Sequence, residues 1–199
     1  MGRTRIDGPL TAEDLLRPGN PYPKHSELWD GTLFAAEPSG GFAGFVGTSL
    51  AIALGRHVAD RRLGQVFGSS QGFFVARAPD RVLAPDVAFL SYASLPTLPW
   101  RGFIERAPDF VAEVRSPEDS ARALHAKAGV WIGHRVPVVW AVDPLERSVT
   151  VYRPGEEPAD VREPGFVDAR PAVPSFALSL VELFADVPRR GPDVPRRGP

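Results

Sequence analysis

The chain has 199 residues, 43% of them hydrophobic, with 23 Lys and Arg against 24 Asp and Glu and no cysteine. That size buries one substantial core, and the missing cysteine excludes disulfides, thiolate metal sites and thiol nucleophiles. A net charge of −1 gives no broad electrostatic footprint for nucleic acid, so any DNA contact must come from a local cleft or a dimer.

Residues 1–20 are expected to form an N-terminal arm, residues 21–185 one domain, and residues 186–199 a tail. The start Met-Gly-Arg-Thr-Arg has no apolar signal core, and the longest apolar stretch, Phe42 to Gly55, falls short of the ~20 residues of a membrane-spanning helix. A cytoplasmic protein without membrane contact is expected. In the arm, Thr11-Ala12-Glu13-Asp14-Leu15-Leu16 predicts a short helix with Thr at the cap and acids in the first turn.

Glu27 to Phe34 predicts a strand or hairpin arm around Asp30-Gly31. From about Gly41 to Leu63, Phe42, Val46, Ser49/Leu50, Ala53/Leu54 and His57/Val58 recur at helical spacing, predicting the first long helix. Gln65 to Ser69, Gly72 to Ala76 and Pro85 to Tyr92 read as three strands of a meander. Phe110 to Val114 is a strongly apolar strand carrying one acid. Ser116-Pro117-Glu118-Asp119 has the form of a helix start, with a helix to about His134 and a core stripe of Ala121, Leu124, Ala128, Trp131 and Ile132. Pro137 to Val142 is another buried strand, and Asp143-Pro144 turns the chain into an antiparallel partner, Ser148 to Tyr152. This order indicates a mixed α/β fold. The tail repeats one heptapeptide, Asp186 to Pro192 and Asp193 to Pro199, and its Pro and Gly content predicts disorder.

Only two of the 23 basic residues are lysines, so Lys127 marks a place where a compact ammonium has been kept among arginines. It follows Asp86 and Glu113. On the Phe110 to Val114 strand, Glu113 points with Val111 and away from Phe110, Ala112 and Val114. Asp86 stands at the beginning of its own strand, so if the two strands are neighbours both carboxylates converge at one sheet end, where they suit Mg²⁺. Lys127 lies on the margin of the buried helix stripe, from which its stem reaches toward the sheet. Two readings are open at this stage. Either the three residues form a phosphodiester-hydrolysing site, or Asp86 caps a turn, Glu113 pairs with Arg115 or a neighbouring Arg and Lys127 lays its stem along the surface.

Other signals carry less. Gly47-Thr48-Ser49-Leu50-Ala51 echoes a nucleophile elbow but falls within a predicted helix. The glycine-rich run Gly40 to Gly47 fits neither a phosphate loop nor a dinucleotide fingerprint. His25, His57, His125 and His134 lack zinc-ligand spacing and read as surface histidines.

Five blocks in order resemble the Uma-type restriction endonuclease family of the PD-(D/E)xK nuclease superfamily. They are Ser26 to Gly31, Ala84 to Phe89, Glu113 to Pro117, Lys127 with Trp131, and Val136 to Pro144, within a span from about Leu10 to Phe184. The resemblance implies a restriction-endonuclease-like central mixed sheet flanked by helices. It further implies Asp86 and Glu113 as metal ligands for Mg²⁺ (Mn²⁺ as substitute), Lys127 as catalytic lysine displaced onto the helix, and Glu27 as an early acid that helps hold metal or orient water. The superfamily's usual lysine position, two residues after the second acid, is Arg115 here. Phe42 and Ala43 stand near the place of a common histidine, and Ala123 at that of a common acid. The expected function is metal-dependent DNA hydrolysis, with a possible homodimer. The alternative is an inactive nuclease-like module that binds DNA or protein.

Overall fold

The computed structural model describes residues 4–23, 25–35 and 40–189. Its described strands form two main sheets. The first, of five antiparallel strands, runs β1 (Thr4–Ile6), β3 (Thr32–Ala35), β2 (Ser26–Trp29), β6 (Arg81–Leu83) and β5 (Phe73–Ala76). The second runs β11 (Ala159–Arg162), β10 (Ser148–Tyr152), β9 (Val138–Asp143), β8 (Phe110–Val114), β7 (Val87–Ser91) and β4 (Gly64–Gly68). Only β8 and β9 are parallel within it, so their connection must cross over, and α3 (Ala121–Gly133) makes that crossover. The predicted mixed α/β sheet with flanking helices is the observed architecture.

Each face of the second sheet carries a core. On one side α2 (Gly41–Arg61) lays Ala43, Val46, Leu50, Leu54 and Val58 against Val87, Phe89, Phe110, Ala112 and Trp140. The same core is closed by the hairpin β12 (Phe166–Asp168) and β13 (Ala177–Ser179) and by α4 (Leu180–Leu183). On the other side α3 lays Leu124, Ala128 and Trp131 against Ala88, Val111, Val139 and the β5–β6 pair through Phe73 and Leu83. A smaller core beneath α1 (Ala12–Leu16) gathers Ala12, Leu28, Leu33, Phe74 and Val82.

Local chemistry explains the sharpest features. Thr11 caps α1 and Asp14 returns the bond to the Thr11 backbone N–H, a reciprocal capping box. Asp30 and Gly31 both take positive φ, 51° and 83°, as the tight turn between β2 and β3 requires. Gly64 admits no side chain, since a Cβ there would lie 2.0 Å from the Leu90 carbonyl oxygen across the β4–β7 pair.

Four expectations need correction. The predicted meander does not form: β4 pairs with β7 in the second sheet, while β5 pairs with the unforeseen β6 in the first. Helix α3 starts at Ala121, capped by Ser120 onto Ala123 N–H, because Ser116 instead accepts from the Gly40 N–H and its segment packs on the start of α2. Phe42 is 50% exposed and Ala121 is exposed, the α2 stripe being set by Ala43. The apolar run is also longer than expected: among the described residues α2 is the single helix long and apolar enough to cross a membrane, although one side of it packs on the sheet.

The arm and the tail are joined to the body where they are described. β1 pairs with β3. Of the expected tail, Asp186 to Arg189 belong to the described residues; Val187 is 7% exposed and its carbonyl accepts from Arg147 at 2.6 Å. The second copy of the heptapeptide lies outside the described residues.

Candidate active site

The site forms where the two sheets meet. Leaving β6, the chain passes through Ala84 and Pro85 to Asp86 and then enters β7. Continuing the β7–β8 register, in which Val87 faces Ala112, by one residue sets Asp86 opposite Glu113. The Asp86 Oδ2 accepts the Val114 backbone N–H at 2.7 Å, which ties the loop to the end of β8. Glu113 shares the α3 side of β8 with Val111, as its strand position demands.

From α3, Lys127 reaches in between two buried glutamates. Its Nζ lies 2.9 Å from Glu113 Oε2 and 2.9 Å from Oε1 of Glu27, the latter on β2 of the other sheet. One helical turn on, Trp131 donates its indole N–H to Glu113 Oε1 at 2.7 Å. Glu27 also accepts from the Ala84 N–H at 3.0 Å and the Trp29 indole at 3.2 Å. Glu113 is 3% exposed and Glu27 4%. Thus Asp86, Glu113, Lys127 and Glu27, picked out in the sequence, all come to one place. Arg115 does not join them: it pairs with Asp143 at 2.6 Å, so the sequence alternative of a Glu113–Arg115 pair is overturned.

Glu113 feels the Lys127 ammonium together with the like charges of Asp86 and Glu27. Burial, above all, pushes the Glu113 carboxyl up to about 8; Lys127 opposes the rise, and Asp86 and Glu27 add to it. Asp86 is raised too, first by burial, with Lys127 and the Val114 N–H opposing.

Beside this cluster opens a cleft of about 440 Å³, lined by Asp86 and Val114, by the small residues Gly44, Gly47 and Thr48 of α2, and by Gly68 at the end of β4 with Ser69 after it. Small residues on the helix wall let a bulky chain approach the carboxylate. The donor set fits a hard divalent cation, which takes oxygen ligands and, for Mg²⁺, commonly keeps waters and phosphate oxygens beside one or two protein carboxylates. Asp86 opens onto the cleft. Among the described residues no group of three or more His, Asp or Glu is arranged to hold a metal ion, so the fit is to a two-carboxylate site completed by solvent and substrate.

The remaining candidates are engaged elsewhere. His57 Nε2 lies 2.9 Å from the Pro174 carbonyl, His125 Nδ1 2.7 Å from the Tyr152 hydroxyl, and Arg81 donates to His134 Nε2 at 3.0 Å. Ser49 sits inside α2 and forms no elbow. Sequence reasoning missed the two indoles as partners of the carboxylates. The signals were there: Trp131 follows Lys127 by four on a helix, Trp29 follows Glu27 by two on a strand, and buried indoles seek an acceptor.

A mixed sheet with carboxylates on adjoining strands and a lysine reaching from the crossover helix defines the class: a nuclease-type α/β fold. The chain belongs to the Uma2 family, whose model, described as "putative restriction endonuclease", matches residues 12–181. It is similar in structure to a protein from Anabaena variabilis described as a "putative nuclease belonging to DUF820", with a TM-score of 0.69 and 23% identity over 80% of this chain and 89% of that one. No curated protein matches the chain.

Proposed function

We propose that this protein is a divalent-metal-dependent DNA endonuclease that hydrolyses phosphodiester bonds with water. The observation that carries the reading is Lys127 held at 2.9 Å from both Glu27 and Glu113, beside Asp86 at the mouth of a cleft. Family membership and the nuclease-type fold support it.

Asp86 and Glu113 would hold the cation, Mg²⁺ or Mn²⁺, which when bound supplies Lewis acidity toward the scissile phosphate and lowers the pKa of water. Glu27 and Glu113 fix the Lys127 ammonium from two sides, so it is preorganised to stabilise charge growing on the phosphate. Glu27 is held in turn by the Ala84 N–H and Trp29. The α2 wall, with Gly44 and Gly47, leaves room for a sugar-phosphate chain against Asp86.

The second reading, an inactive nuclease-like module binding DNA or protein, draws on the occupation of both Glu113 oxygens by Lys127 and Trp131. Plasmid, single-stranded and branched DNA incubated with purified protein in Mg²⁺ or Mn²⁺ separate the two. Cleavage that stops on chelation and is lost in Asp86→Ala supports the endonuclease; DNA binding without cleavage by wild type under both metals supports the inactive module.

A further inference from the structure

We infer that Trp131 is a positioning residue for Glu113, its indole N–H setting which way that carboxylate faces when a divalent cation binds. This rests on the proposed metal role of Asp86 and Glu113 and goes beyond it to the group that aims one of the ligands.

Three observations carry it. The Trp131 indole nitrogen lies 2.7 Å from Glu113 Oε1, while Lys127 Nζ lies 2.9 Å from Oε2, so each oxygen of one buried carboxylate has its own donor. Both donors stand on one face of α3 a helical turn apart, so the fork keeps its shape as long as the helix does. Trp131 is also fully buried among Leu124, Ala128 and Val139, which denies its ring any other pose. A carboxylate oxygen has two lone pairs. With one on each oxygen taken from the helix side, those left for a cation point away from α3. Trp140, the other fully buried indole, has no hydrogen-bond partner for Nε1 among the described residues and so serves as an internal control. Trp29 holds Glu27 at 3.2 Å in the same manner, so each glutamate that Lys127 bridges has an indole of its own.

Donors to metal-ligating side chains typically govern affinity by about 10- to 100-fold. Two measurements test the inference. In Trp131→Phe, Mn²⁺ affinity by calorimetry is expected to fall by about 10- to 100-fold at an unchanged circular dichroism spectrum. In proton–nitrogen spectra of wild type, the Trp131 indole signal is expected to shift on Mg²⁺ titration and in Glu113→Gln, while the Trp140 signal stays in place. The titration needs no variant that must fold. Wild-type affinity in Trp131→Phe, or a Trp131 signal unmoved by Mg²⁺, overturns the inference. Metal binding by wild type without DNA cleavage overturns the nuclease reading alone; absence of metal binding overturns both.

Discussion

Two charge clusters of this molecule, one half-buried around Arg147 and one buried around Lys127, are built in opposite ways. Around Arg147, no carboxylate lacks a cation: its guanidinium grips Glu163 through two bonds at 2.6 and 2.8 Å, donates to the Val187 carbonyl and covers the Phe184 ring, and Arg189 meets Glu163 as well. The Arg147 hydrogen bonds hold the Glu163 carboxyl below its ordinary range. Around Lys127, the ammonium bridges Glu27 and Glu113, and burial, with the like charges of Asp86 and Glu27, pushes Glu113 up to about 8. The first cluster fastens the C-terminal segment. The second includes Asp86, which lines the cleft. Strongly perturbed carboxyls beside a cleft occur more often at functional sites than in structural ion pairs.

The comparison breaks first on metal. Replacing both Asp86 and Glu113 by Ala is expected to abolish Mn²⁺ binding measured by calorimetry, and Arg147→Met to leave it as in wild type. Next comes stability. Lys127→Ala leaves two buried glutamates without their shared cation and is expected to cost about 3–5 kcal/mol in denaturant unfolding at pH 8. Arg147→Met is expected to cost less, because the Glu163 left behind reaches solvent and still meets Arg189 at 3.1 Å.

A finer test is pH. Glu113 has a folded pKa of about 8 against an ordinary 4.5, so it binds its proton more tightly when folded. Its contribution to stability is therefore fully present below about 4.5 and is lost as pH rises through about 8. Metal-free wild type is expected to lose stability relative to Glu113→Gln across that window, read from paired melting curves. Parallel curves would show that the fold does not raise the Glu113 carboxyl.

Much of the site was legible because its parts lie on the most regular elements. The β8–α3–β9 segment announces itself through an apolar strand, a stripe of Leu124, Ala128 and Trp131, and a second apolar strand. Glu113 and Lys127 are the residues that interrupt those patterns. Glu27 was different: nothing in its own strand distinguishes it, and only the family resemblance singled it out. What failed depended on distant partners. Whether β4 and β5 pair with each other is decided by the rest of the sheets, and β6 is only three residues long, too short for alternation to show. Ser116 and Ser120 both suit a helix cap, and the choice is made by Gly40, 76 positions earlier in the chain.

The most direct measurement sets the two clusters side by side: plasmid cleavage in Mg²⁺ by wild type, Lys127→Ala and Arg147→Met, normalised to folded protein. Loss of a transition-state contact typically lowers the rate by about 10²- to 10³-fold. A loss of that size is expected in Lys127→Ala, with wild-type cleavage in Arg147→Met. Wild type cleaving no faster than Lys127→Ala would contradict a catalytic role for the Lys127 cluster.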